Sequence, residues 1–480
     1  MRKPLYSNLH RKQIAGISRK YSSFLSENQN KMRKILLLWL FAFVVSGAVS
    51  TEAQINVKPL NFKERALKNG LKVISLEDHS SPTLTVQVWY RVGSKDDPAG
   101  RSGFAHLFEH LMFKSTKNMK SEMFDRLTED VGGWNNASTY DDFTNYYEVV
   151  PSNYLETLLW AEAERMVNLN VIEENFKSER DVVKEEFRFR VLNPPYGRLY
   201  YEIERKSFAL HPYKRPGIGS IEDLDAASLA DVRSFYEVFY RPDNAILIVV
   251  GDFEQNQLDR SVDKYFGRIE GNDTKIQRVV VEEPARTEEK RFTVSAPNVP
   301  LPAIAITYLA PKANDADLPA LEIAENILSG GESSRLYQEL IYKQQIAQEA
   351  AFYVDDRADK GLMVFYAIAA GGKKIADVEK SLLAELKKIQ TAAPTAAEIE
   401  KAKNQIITNT LAERETNGGK AFALGRAELI LGNAAEANNA IEKLRRVTAA
   451  DVQRVMQKYF TDTNRVVINY QNEPAKGEGK

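Results

Sequence analysis

Leu84-Thr85-Val86-Gln87-Val88-Trp89-Tyr90-Arg91-Val92 decides the fold. Val86, Val88 and Tyr90 recur at every second position, the period of a strand with one face in a core. Leu71–Leu76 reads as a second strand, and Ala245–Val250, closed by the turn Gly251-Asp252, as a third. Between them lie helix-like stretches: Ser102–Phe113, Tyr154–Leu169, the charged Asn175–Val191, and Ala227–Phe239. The second half repeats the order. Ile304-Ala305-Ile306-Thr307-Tyr308 stands 218 residues after Val86–Tyr90. Ala450-Asp451-Val452 and Asn464 stand 220 after Ala230-Asp231-Val232 and Asn244. Units recurring in one order at a nearly constant offset indicate a duplicated domain. The polar stretch Glu270–Lys290 is the natural linker, dividing residues 54–269 from 291–475.

A chain of 480 residues holds two domains of ordinary size. Its formal net charge of −1 gives no bulk attraction to nucleic acid or to an anionic membrane surface. Cysteine is absent, which excludes disulfides, thiolate metal sites and cysteine nucleophiles, so a metal would rest on His and carboxylate. Met32-Arg33-Lys34 followed by the apolar run Ile35–Val49 reads as a signal peptide. The run is shorter than the ~20 residues of a spanning helix. With Thr51-Glu52-Ala53 as a cleavage site before Gln54, residues 1–53 would be leader. The reading is export, with the Gram-negative periplasm as destination and no stable membrane insertion after cleavage.

His106-Leu107-Phe108-Glu109-His110 carries the chemistry. On a helix, positions i, i+3 and i+4 share a face, so two imidazoles reach one metal while Glu109 stands beside them. This order, H-x-x-E-H, is the inverzincin signature. Two of the chain's five histidines fall in it. A third ligand must come from elsewhere, and Glu179, Glu185 and Glu186 on the charged helix all qualify by type.

The stretch from His106 to Thr116 closely resembles the signature of the pitrilysin/insulinase family of zinc peptidases, which includes the mitochondrial processing peptidase. The likeness continues through Gly132–Thr139, Thr144–Tyr147, Glu179–Glu186, His211–Gly219 and Tyr240–Asp252. Gly330–Tyr337 looks like the family's inactive repeat. The resemblance implies two homologous α/β-sandwich domains of α+β type. Each would be a mostly antiparallel sheet with helices on one face, and the two would face each other as a clam shell. It implies one Zn2+ per chain on His106, His110 and Glu186, Glu109 as general base, and Glu179 orienting an imidazole. Glu185 has no implied role. Asn136 and Ala137 match edge-strand positions that hold an extended peptide substrate by its backbone.

The resemblance breaks in the second half. Where the family carries an Arg followed seven residues later by a Tyr, this sequence has Ile341 and Gln348, with Tyr342 and Lys343 out of register. The implied activity is therefore that of the zinc-bearing subunit of a two-chain endopeptidase, completed by a homologous zinc-less subunit supplying the Arg/Tyr pair. The competing readings are a non-catalytic scaffold subunit, against which the intact motif argues, and a zinc hydrolase of small molecules, against which Asn136-Ala137 argues.

Overall fold

The computed structural model describes residues 57–474, so the expected leader and cleavage site lie outside the described residues. The first half contains β1 (Lys63–Ala66), β2 (Lys72–Glu77), β3 (Thr83–Tyr90), α1 (Phe104–Leu111), α2 (Met123–Glu129), β4 (Trp134–Thr139) and β5 (Thr144–Pro151). There follow α3 (Leu155–Asn168), α4 (Glu173–Phe187), α5 (Gly197–Ser207), α6 (Ile221–Ala226), α7 (Leu229–Phe239), β6 (Ala245–Gly251) and α8 (Gln255–Tyr265). The second half runs β7 (Lys290–Ala296), β8 (Ala303–Leu309), α9 (Leu318–Ser329), β9 (Ala347–Asp355), β10 (Leu362–Ala369) and α10 (Ile375–Thr391). It closes with α11 (Ala396–Glu413), α12 (Asn417–Leu431), α13 (Glu436–Arg446), α14 (Ala449–Tyr459) and β11 (Val466–Asn472).

The fold is two mixed α/β halves. The first sheet has the order β1-β2-β6-β3-β5-β4, the second β7-β11-β8-β10-β9. Pairing is antiparallel except for β2 with β6 and β7 with β11. Those two parallel pairs occupy equivalent places, and α3, α5, α7 and β6 recur as α10, α12, α14 and β11 at offsets of 220 or 221 between first residues. Capping recurs too: Ser228 with Asp231 starts α7, and Thr448 with Asp451 starts α14, each a reciprocal capping box.

Both faces of each sheet are covered. On one face the first sheet packs its own helices, burying Val86, Val88, Phe104, Phe108, Leu158 and Phe235. The sheet is buried on its other face as well, which explains why Gln87-Trp89 does not read as a solvent face: Trp89, Ile246 and Ile248 meet Ala421 and Leu424 of α12, from the second half. The second sheet receives α5 of the first half, with Leu199 and Ile203 against Ala303, Val364 and Ile468. Each half therefore lends one helix to the other's sheet. The contact at α12 is close: a Cβ on Gly425 would lie 2.6 Å from Trp89 and 2.8 Å from Ile248. Gly425→Val is expected to destabilise the chain by about 1–3 kcal/mol, the usual cost of overpacking a core. Denaturant unfolding followed by tryptophan fluorescence, with Trp89 beneath the substituted site, measures it.

Candidate metal centre

Helix α1 starts where two loops cross. Gly103, with φ of 100°, is its N-cap, and a Cβ there would lie 3.1 Å from the Cα of Gly219. Gly219 in turn has no room for a side chain, since its Cβ would stand 2.4 Å from the carbonyl of Ser102. The buried carboxylate of Asp97 accepts the N–H of Gly103 at 2.6 Å and of Ala105 at 2.9 Å, satisfying donors that the first turn leaves free. Phe104, Ala105, Leu107, Phe108 and Leu111 form the buried face, and Phe108 stacks on Phe235 with ring centroids 5.3 Å apart. Spacing then puts His106, Glu109 and His110 on the opposite, half-buried face.

Helix α4 crosses that face and carries Glu179, buried, and Glu186, half-buried. Glu186 Oε2 lies 3.6 Å from His106 Nε2 and 3.3 Å from His110 Nε2. Among the described residues these three form a group whose ligand atoms all lie within 4.8 Å of one another. Tetrahedral zinc with ligands at about 2.1 Å separates its donors by about 3.4 Å, so two imidazole nitrogens and a carboxylate oxygen at these spacings fit the ion. Glu179 Oε2 stands 3.5 Å from the other nitrogen of His110, Nδ1, and its Oε1 is held by Lys114 at 2.7 Å. The structure thus separates the three glutamates that spacing left open. Glu185 is exposed and pairs with Arg188 at 2.9 Å.

The electrostatics of the site are uneven. Burial and the adjacent His110 push His106 down to about 4. Burial also opposes protonation of His110, but the carboxylates of Glu179 and Glu186 outweigh it and raise it to about 9. Burial lifts the Glu109 carboxyl above its ordinary value, against the opposing pull of Thr139 and His110. A carboxyl raised toward neutrality is better matched to taking and returning a proton at physiological pH.

Strand β4, which contacts α1, is one of the two edge strands of the first sheet. Asn136 is exposed there and Ala137 is buried, and the Ala137 N–H donates to Asn136 Oδ1 at 2.8 Å. In the second half, Ile341 is half-buried against its core and Gln348 is exposed on β9. Tyr342 is 68% exposed, and Lys343 pairs with Glu339 on its own turn of helix. Sequence reasoning passed over Lys114 and Thr139 as contacts of Glu179 and Glu109. For Lys114 the signal was its position four residues after His110, one helical turn on.

The profile of the insulinase family, peptidase family M16, matches residues 72–210, and that of the peptidase M16 inactive domain matches residues 226–406. The chain belongs to this family. It is 32% identical over 404 residues to the zinc protease PqqE of Helicobacter pylori, covering 84% of this chain and 91% of that one. The crystal structure of a protease from Helicobacter pylori superposes with a TM-score of 0.83 at 30% identity, covering 86% of this chain and all (100%) of that one. A probable mitochondrial-processing peptidase subunit beta of Arabidopsis thaliana is 24% identical over 405 residues, 82% of this chain and 76% of its own.

Proposed function

We propose that this chain is a zinc-dependent endopeptidase acting on peptides or unfolded polypeptides outside the cytoplasm, as the zinc-bearing subunit of a two-chain enzyme. The observation that carries the reading is the meeting of both imidazole Nε2 atoms at one oxygen of Glu186, with Glu109 on the same helix face. His106, His110 and Glu186 hold the zinc. When bound, the ion supplies Lewis acidity, which acidifies water and polarises the scissile carbonyl. Glu109 takes the proton from the attacking water and returns it to the leaving amine. Glu179 fixes the orientation of the His110 ring through Nδ1. The free edge at Asn136 and Ala137 binds an extended substrate through its backbone, exchanging the contact between Ala137 N–H and Asn136 for one to the peptide. Residues 54–269 form the catalytic domain and 291–475 its inactive counterpart, joined by 270–290. Ile341 and Gln348 offer neither cation nor phenol, which supports a homologous partner supplying both. The leader-like segment supports export to the periplasm. Among the described residues no helix is long and apolar enough to cross a membrane.

The test is metal content of the purified chain beside His110→Ala. One zinc per chain, lost in the variant, is expected. An absence of zinc after purification with zinc present would favour a scaffold subunit and remove the peptidase reading.

The pH dependence of loading follows from the two imidazoles. His110, raised to about 9, holds a proton at neutral pH, and His106, lowered to about 4, does not. Zinc must displace that one proton. Apparent zinc affinity is therefore expected to rise about tenfold per pH unit up to the His110 pKa and to level off above it. Calorimetry at pH 7 in buffers of different protonation enthalpy should count about one proton released per zinc. No release would mean that the His110 imidazole is already neutral at pH 7 before zinc arrives.

A further inference from the structure

Each of the two acidic groups behind the histidines has its oxygens divided between two jobs. Glu179 turns Oε2 toward His110 Nδ1 and gives Oε1 to Lys114, four residues after His110. Glu186 turns Oε2 toward both imidazole Nε2 atoms and gives Oε1 to Arg190, whose Nε lies 2.8 Å away. Arg190 is four residues after Glu186, inside the π-turn Arg188–Leu192 into which the α-helix widens. Such turns concentrate at functional sites. The Arg190 side chain is otherwise 69% exposed, and Glu186 is the acidic partner it meets.

We infer that Arg190 is a positioning residue for the metal: by occupying Oε1 it makes Glu186 present a single oxygen, and so keeps a coordination position free for water or substrate. This rests on the zinc reading above. A carboxylate binds a metal through one oxygen or both, and catalytic zinc of this kind combines three protein ligands with an open position. Were Glu186 to chelate through both oxygens, it would take up space in the coordination sphere that the reaction requires. An exposed ion pair adds little to stability, but selecting between two carboxylate modes of similar energy requires little.

The experiment is the visible absorption of the purified full chain loaded with Co2+, in wild type, Arg190→Gln, Arg190→Lys and Arg188→Gln. Four-coordinate Co2+ absorbs strongly and five-coordinate Co2+ weakly. Wild type is expected to show the intense band. Arg190→Gln should lose much of it as Oε1 turns to the metal, and Arg190→Lys should retain it, because lysine keeps a cation at the same helical position. Arg188→Gln, which frees only the exposed Glu185, should match wild type. An unchanged spectrum in Arg190→Gln overturns the inference while leaving the metal site standing. A wild-type chain that binds no Co2+ overturns the metal reading and this inference together.

Discussion

Glu109→Gln is expected to lower peptide hydrolysis by about a hundred to ten thousand times, the range contributed by a positioned general acid–base group. The substitution keeps shape and helix propensity but removes the ability to accept a proton. Glu109 lies outside the group formed by His106, His110 and Glu186, so zinc content should be unchanged, and that separates loss of chemistry from loss of metal. Its half-buried place beside Thr139 and the elevation of its pKa by burial both fit a group that exchanges a proton. The measurement is steady-state hydrolysis of an unstructured fluorogenic peptide, with the proposed partner present, alongside zinc analysis of each sample. If the variant retains more than about a tenth of wild-type kcat/KM, a loss smaller than acid–base catalysis supplies, Glu109 is not the base.

Much of this site was legible because its parts are local. The i, i+3, i+4 spacing of His106, Glu109 and His110 fixes a shared face before any tertiary contact forms. The seven-residue spacing of Glu179 and Glu186 likewise predicts one face of α4. What spacing cannot give is which carboxylate reaches which nitrogen, since that depends on how α4 crosses α1. The duplication was legible through repeated strands and caps, and it also shows why, among the described residues, the second half has no such centre. Positions 220 residues after Glu179 and Glu186 are Ile399 and Ile406, apolar residues of α11. The exchange of α5 and α12 between the halves was not legible. Both are amphipathic or apolar helices in sequence, and nothing local says whose sheet they will cover. The exchange matters to the site, because α4 with Glu186 continues through the π-turn toward α5, which is seated on the other half's sheet. The second half thus seats the helix that follows the π-turn after Glu186.

Arg165→Met is expected to be among the most destabilising single substitutions in the first half, by about 3–5 kcal/mol, the cost of leaving buried charge without its partner. Arg165 on α3 is fully buried, at 0% exposure, with Glu148 of β5 and Glu162 of its own helix also at 0%. It binds Glu148 at 2.9 Å and pairs with both oxygens of Glu162, while its guanidinium lies 3.9 Å from the ring centroid of Phe124. One cation therefore serves two carboxylates in an apolar setting, and burial drives the Glu148 pKa far above its ordinary value. With Arg165 gone, that elevation has nothing to oppose it. A carboxyl whose folded pKa is raised favours folding when protonated, and losing Arg165 raises it further, so the deficit should grow as pH climbs through the wild-type Glu148 pKa. Adding Glu148→Gln and Glu162→Gln to Arg165→Met should recover part of the loss, because the uncompensated charges, rather than the missing side chain, are its main source. The β4 edge would feel the change, since Glu148 pairs in register with Asn135 of β4, immediately before Asn136 and Ala137. Denaturant unfolding of the single and the triple variant decides the matter. A triple variant no more stable than Arg165→Met would mean that packing around Phe124, rather than charge, is what Arg165 supplies.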